Sequence, residues 1–149
     1  MKPVIATAFM LAALLSPPFA SAQTMSEVRI QVSELAPYGK YLTGADGRTL
    51  YMFTKDTKAT SDCYDACAKA WPPLLTTGKP VAGPGLDESM LGTTKRKDGM
   101  TQVTYNGMPL YYFVKDQGPG QVLGQDITAQ GGQWYLVSPN GKKNDAKKS

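Results

Sequence analysis

The chain has 149 residues, with 16 lysines and arginines against 12 aspartates and glutamates, and it contains no histidine. The missing histidine excludes a Ser-His-Asp triad, a histidine-bearing zinc site, a CxxCH haem attachment and a two-histidine copper site. Four lysines and one aspartate lie in the last eight residues, so the positive charge belongs to the C-terminal tail and does not predict a nucleic-acid-binding face.

The first 22 residues have the pattern of a secretory signal peptide. Lys2 precedes an apolar run over residues 4–15 that is too short to span a bilayer, and small residues stand at Ala20 and Ala22. We expect cleavage after Ala22, export to the periplasm or the extracellular space, and no transmembrane segment in the mature chain. Gln23 follows the cleavage site in place of a cysteine, so lipid attachment is not expected.

The first strand patterns lie after residue 27. Apolar and polar residues alternate over 28–32, which is the period of a strand with one buried face. Two β-prone runs, 41–43 and 49–53, then flank Asp46-Gly47. An Asp-Gly pair favours the left-handed backbone of a tight turn, so these runs predict a hairpin.

One short helix is predicted near residues 61–71. Its alanines favour a helix, Ser61 or Asp62 can cap its start, and Pro72-Pro73 end it.

The second half of the chain repeats the hairpin pattern. Runs 101–105 and 110–114 flank Asn106-Gly107, which is the strongest short hairpin signal, and residues 133–137 predict a closing strand. Segments 78–100 and 117–133, which are rich in glycine, proline and charge, predict long loops around short pieces of structure.

These elements predict one mainly β, antiparallel domain over residues 23–141, built from two similar hairpin repeats. The first repeat lies near residues 38–77 and the second near residues 99–137. Residues 142–149, KKNDAKKS, predict a disordered basic tail because they contain no apolar residue larger than alanine.

Each repeat carries the same short motif, DGRTLYMFTKD at 46–56 and NGMPLYYFVKD at 106–116. In a strand the Tyr and Phe lie on one face, and the Asp has the opposite parity. Six residues are therefore candidates for a structural or ligand-binding role: Tyr51, Phe53, Asp56, Tyr111, Phe113 and Asp116.

Two interpretations of these six residues stay open. In the structural one, the aromatic rings form the core, and each aspartate caps a turn by accepting hydrogen bonds from amides two or three residues on. In the functional one, the tyrosine hydroxyls and carboxylates line two equivalent pockets for a cation or a small polar ligand. Paired catalytic carboxylates are not supported without a known separation.

Cys63 and Cys67 are the only cysteines, and in an exported chain they predict a disulfide. The alternative is a CxxxC site for thiol redox chemistry or copper(I), because two soft thiolates at this spacing can hold one soft cation. The acidic neighbours Asp62 and Asp65 do not favour a reactive thiolate.

The two motif copies resemble those of a family of small bacterial exported proteins and lipoproteins described as secreted repeats, marked by Tyr-x-(Phe/Trp/Tyr)-x-x-Asp. The likeness includes the cysteine pair followed by Ala70-Trp71-Pro72-Pro73, and Trp134-Tyr135 before an Asn-Gly turn, and it covers most of residues 38–141. The resemblance implies export and a repeat domain, and it implies no biochemical role.

The sequence favours an exported, non-enzymatic binding module without a cofactor, because no catalytic constellation is recognisable. Its partner is not specified, although a cell-envelope component or a small ligand suits an exported domain. The runner-up function is thiol redox or copper(I) handling through Cys63 and Cys67, and acid chemistry at Asp56 and Asp116 comes third.

Overall fold

A computed structural model describes residue 3 and residues 27–147 of the chain, so the predicted signal peptide over residues 1–22 lies outside the described residues apart from residue 3. The described part is mainly β, as predicted. Its elements in chain order are β1 (Arg29–Leu35), β2 (Gly39–Gly44), β3 (Tyr51–Phe53), α1 (Ala66–Ala70), β4 (Val81–Ala82), a 3-10 turn (Glu88–Met90), β5 (Leu91–Lys95), β6 (Thr101–Tyr105), β7 (Met108–Pro109), β8 (Ile127–Ala129), β9 (Gly132–Val137) and β10 (Lys143–Asn144).

The strands form three small sheets with the orders β2-β1-β4, β10-β9-β3 and β5-β6-β7, and β8 also pairs with β9. Every named pair is antiparallel except β1 with β4. The predicted predominance of antiparallel pairing is therefore confirmed.

Both predicted hairpin turns form. Asn106 and Gly107 have φ values of 51° and 80°, and they connect the paired residues Tyr105 and Met108 in the two-residue turn that this dipeptide favours. At Asp46-Gly47 the turn is closed by a hydrogen bond of 2.9 Å from the Gly44 amide to the Arg48 carbonyl. The hairpins are short, and a few residues after each turn the second strand pairs with a segment of the other repeat.

Each Tyr-x-Phe strand pairs with the opposite repeat. In the first repeat, β3 lies antiparallel to β9, with Phe53 opposite Trp134. In the second repeat, the Tyr112 amide donates to the Pro72 carbonyl at 2.8 Å, and the Val114 amide donates to the Ala70 carbonyl at 3.0 Å. The two repeats therefore exchange strands.

The exchanged strands meet at Tyr51 and Tyr111. Their backbones pair reciprocally, with N···O distances of 2.8 and 3.0 Å. One continuous set of backbone hydrogen bonds thus runs from β9 through β3 and Tyr111 to the segment after Trp71, and it passes through the centre of the molecule.

The helix is shorter than predicted and begins later. α1 covers only Ala66–Ala70, and its N-cap residue Asp65 has a φ of 52° and no side-chain capping bond. Ser61 and Asp62, the predicted caps, form hydrogen bonds elsewhere: the Asp62 amide donates to Asp56 Oδ1, and the Ser61 hydroxyl bonds Tyr111 Oη. The capping prediction was wrong because these groups connect loops instead.

The expected disorder of the basic tail does not hold for residues 143–147; residues 148–149 lie outside the described part. β10 pairs with β9, and the buried Asn144 donates through Nδ2 to the Tyr38 carbonyl at 2.7 Å. Gln125 Nε2 donates to the carbonyls of Asn144 and Ala146 at 2.7 and 3.0 Å. The tail is held by polar contacts, which a search for apolar residues does not detect.

We expect the Asn144→Ala variant to lose about 1 to 3 kcal/mol of unfolding free energy, because the buried Tyr38 carbonyl would lose its donor. Chemical denaturation measures the change. Lys142→Ala is the matched control, because its side chain is exposed. Equal stability of the two variants would show that the Asn144 side chain does not stabilise the fold.

Candidate functional site

The two motif phenylalanines and two tryptophans build a stack of four aromatic rings in the core. Phe53 stacks on Trp134, Trp134 on Trp71, and Trp71 on Phe113, with centroid distances of 4.1, 3.9 and 4.1 Å. Each phenylalanine therefore packs on the tryptophan of the other repeat. This arrangement joins the two repeats through their largest apolar side chains.

The two motif tyrosines stand edge-on to the stack. Tyr51 contacts Trp71 at a centroid distance of 5.6 Å and Tyr111 contacts Trp134 at 5.1 Å, with interplanar angles of 81° and 88°. Both tyrosines are completely buried. Their hydroxyl groups therefore need hydrogen-bond partners inside the protein.

Each tyrosine hydroxyl finds its partner in the aspartate of the other repeat. Tyr51 Oη donates to Asp116 Oδ2 at 2.5 Å, and Tyr111 Oη donates to Asp56 Oδ2 at 2.6 Å. The aspartates are buried as well, at 1% and 6% exposure. We call these two contacts the crossed Tyr–Asp bonds.

The second carboxylate oxygen of each aspartate holds the loop that follows it. Asp56 Oδ1 accepts from the Asp62 amide at 2.7 Å, and Asp116 Oδ1 accepts from the Leu123 amide at 2.9 Å. These amides lie six and seven residues on, whereas the sequence predicted capping two or three residues on. Each aspartate thus closes a larger loop and also binds the opposite repeat.

A directed chain of hydrogen bonds leads to Asp56. Arg96 Nη1 and the Cys63 amide donate to Ser61 Oγ at 2.9 and 3.2 Å, which occupies its acceptor positions. The Ser61 proton therefore points to Tyr111 Oη, 2.7 Å away, and the Tyr111 proton points to Asp56. A buried guanidinium and a buried carboxylate are the two ends of this chain.

A backbone amide takes the place of the serine in the other crossed bond. The Gly124 amide donates to Tyr51 Oη at 3.1 Å. A Cβ atom on Gly124 would come within 2.8 Å of the rings of both Tyr51 and Trp71, so only glycine allows this approach. Both tyrosines therefore accept one hydrogen bond and donate one to an aspartate.

Burial changes the acidity of these groups. Burial raises the pKa of the Asp56 carboxyl to about 6, even though Tyr111 and the Asp62 amide donate to its ionised form. Burial and the neighbouring carboxylates raise the pKa of both the Tyr51 and Tyr111 hydroxyls. The tyrosines therefore stay protonated and act as donors throughout the physiological pH range.

All six sequence candidates come together in one buried network, with exposures of 8% or less. The described part has surface cavities of about 500 and 190 Å³, and none of the six residues lines either of them. The sequence pattern suggests Ser61 only as a helix cap and does not point to Arg96 or Gly124. No repeated sequence feature marks these residues, because the loop that follows Asp56 differs in length and sequence from the loop that follows Asp116.

The predicted disulfide is confirmed: Cys63 and Cys67 are bonded, with 5.2 Å between their Cα atoms. Both cysteines lie in the core cluster that contains Trp71, at 0% and 7% exposure. In residues 3 and 27–147 no group of three or more cysteine, aspartate or glutamate side chains is placed to hold a metal ion.

A double-mutant cycle tests the crossed arrangement. Tyr111→Phe removes the donor of one bond, and Asp56→Asn replaces its charged acceptor with a neutral amide, so we expect their effects on unfolding free energy to be coupled by about 1 to 2 kcal/mol. Tyr51→Phe with Asp56→Asn is the control pair. These residues belong to the same motif copy but do not bond each other, so their effects should add within about 0.5 kcal/mol. Stronger coupling within a copy than across copies would contradict the crossed pairing.

Asp56 also predicts a pH dependence of stability. Its folded pKa of about 6 lies above the ordinary value of 3.8, so the folded chain binds the proton more tightly. The resulting stabilisation is complete below pH 3.8 and is lost as the pH rises through about 6. Relative to Asp56→Asn, which does not titrate, the wild-type chain should lose stability over this window in denaturation curves. A difference independent of pH would refute the raised pKa.

A family model described as a secreted repeat of unknown function matches residues 35–75 and 92–138, which together make up more than half of the chain. Each matched segment contains one copy of the Tyr-x-Phe-x-x-Asp sequence. No curated protein and no solved structure matches the chain significantly. None of the helices in the described residues has the length and apolar character needed to cross a membrane. The chain belongs to the Lipoprotein_15 family of secreted repeats.

Proposed function

We propose that this chain is an exported, non-enzymatic binding module in which the repeated motif builds the scaffold and a surface outside the motif recognises the partner. The observation that carries the proposal is the mutual saturation of the motif. Each tyrosine hydroxyl donates a hydrogen bond to an aspartate of the other repeat. Each of those aspartates also accepts a hydrogen bond from a backbone amide.

Saturation argues against a catalytic role for the motif. A general acid or base must reach a substrate proton at hydrogen-bond distance, but Asp56 and Asp116 are buried and bonded within the protein. The same burial argues against a ligand pocket at the tyrosines, because a ligand would have to displace bonds that connect the repeats. Export is supported by membership of a secreted family.

The thiol redox and copper(I) alternative gains no support. Cys63 and Cys67 are joined to each other and packed in the core beside Trp71. A metal-binding or redox role would need accessible thiolates.

Site-specific photo-crosslinking in cells that export the chain tests the proposal. A photoreactive residue is placed singly at four exposed positions on different elements, namely Lys40, Thr93, Lys115 and Thr128. A binding module should give adducts of discrete mass from some positions and none from others. Absence of adducts at every position, or the same adducts at all four, would contradict a specific binding surface.

A further inference from the structure

The outer edge of β5 carries backbone groups that point away from the protein's own sheet. On β6, the Thr101 carbonyl accepts from Thr76, and Val103 bonds Leu74 and Leu110, so these two residues face away from β5. Because backbone direction alternates along a strand, Gln102 and Thr104 face β5. Their partners Thr94 and Gly92 complete the ladder.

The remaining residues of β5 therefore turn their N–H and C=O groups outward: Leu91, Thr93 and Lys95. β5 is the last strand of its sheet. The Leu91 amide donates to the Glu88 carbonyl of the preceding 3-10 turn. Within residues 27–147 the Leu91 carbonyl and the N–H and C=O groups of Thr93 and Lys95 have no hydrogen-bond partner. Thr93 and Lys95 are exposed, so a second strand has access to them. Unpaired groups that alternate along an edge match another extended backbone.

A groove adjoins β5. It has a volume of about 500 Å³, and it is lined by two segments, residues 77–80 and residues 91–93, which we call its walls, and by Thr101 of β6. We call it the β5 groove. Leu91, Thr93 and Lys95 have side chains on the same face of the sheet, and the first two border the groove. Every second side chain of an added strand would point to this face.

The charges at the edge favour an acidic partner. Lys79 in one wall pairs with Glu88 at 3.7 Å, and the buried Arg96 pairs with Asp98 at 3.1 Å. Lys95 and Lys97 have no salt bridge to any described residue. Lysine on an edge strand opposes pairing between two copies of the same chain, because like charges would approach each other. The same charge attracts a glutamate or aspartate.

We propose that the outer edge of β5 binds an extended acidic segment of another protein as an added strand, with a carboxylate opposite Lys95 and small or β-branched side chains in the β5 groove. This inference rests on the proposed binding function and identifies its surface. The backbone of the segment supplies affinity, and the groove and Lys95 supply selectivity.

The probe is a synthetic peptide, Ser-Glu-Ser-Thr-Ser-Val-Ser, with blocked ends. Antiparallel to β5, it places Glu opposite Lys95, Thr opposite Thr93 and Val opposite Leu91. Calorimetric titration of the mature chain should show binding. N-methylation of the peptide's threonine amide should weaken binding roughly tenfold or more, because one backbone bond is lost and a methyl group enters the edge. Hydrogen exchange at the Thr93 amide should slow when the unmodified peptide binds.

Matched protein variants test the same edge. Thr93→Pro removes an outward N–H that the protein's own sheet does not use, a position at which edge strands tolerate proline. We expect it to bind the peptide roughly tenfold more weakly than Thr93→Ala, because both variants lose the threonine side chain and only the proline variant also loses the backbone donor. Lys95→Glu should weaken binding of the acidic peptide and strengthen binding of a peptide that has Lys in place of Glu. Thermal melting shows whether each variant is folded, and the N-methyl peptide tests the edge without any variant.

Several outcomes would overturn the proposal. These are no binding at about 1 mM peptide, equal binding of the N-methylated peptide, or equal binding by Thr93→Pro and Thr93→Ala. A wild-type dimer that Thr93→Pro converts to a monomer would make a second copy the occupant. Binding only by a chain that begins at Glu27 would make the preceding segment of this chain the occupant. If photo-crosslinks form elsewhere but not at Thr93, the binding function stands and only this surface is wrong.

Discussion

The crossed Tyr–Asp bonds are the contacts on which the rest of the structure depends. A carboxylate removed from water is costly unless donors surround it, and a buried tyrosine hydroxyl needs an acceptor. Tyr111 and Asp56 satisfy each other across the repeats, as do Tyr51 and Asp116. A single repeat that buried its tyrosine and aspartate would leave both without these hydrogen-bond partners, because each partner belongs to the other repeat. The duplication of the motif is therefore a physical requirement of this core.

Exchange of strands makes the two repeats one unit. Phe53 pairs and stacks with Trp134 of the second repeat, while Phe113 stacks on Trp71 of the first. In a solenoid each repeat contacts its neighbours and the array can be extended. Here the contacts are reciprocal and close on themselves around Tyr51 and Tyr111. Two copies complete the arrangement, and a third would find no unpaired partner in the network.

The sequence predicted the features that depend on local chemistry. Asn106-Gly107 and Asp46-Gly47 define their turns through backbone preference, and the cysteine pair predicted its own disulfide. The crossed bonds were not predicted, because Tyr111 and Asp56 are 55 residues apart and nothing local indicates which tyrosine meets which aspartate. The prediction that Ser61 caps the helix was wrong for a related reason, because its hydroxyl bonds the distant Tyr111 hydroxyl instead.

Two further segments show where composition misleads. Asn144 belongs to a lysine-rich tail, yet its amide and the buried Gln125 fix that tail by hydrogen bonds. β5 lies in a segment rich in glycine and charge that predicts a loop, and it becomes a strand because β6 supplies a full antiparallel partner. Tertiary pairing overrides weak local preference in both cases.

The arrangement separates the scaffold from the surface that we propose for recognition. The family match covers residues 35–75 and 92–138, so one wall of the β5 groove, residues 77–80, lies between the two matched segments. Lys79 and Glu88 lie in the same interval. Substitutions there can change the shape and charge of the groove without touching Tyr51, Tyr111 or their aspartates. A closed core of this kind can therefore hold one fold constant while the connecting segment adjusts, beside Lys95, which extended chain the proposed edge of β5 accepts.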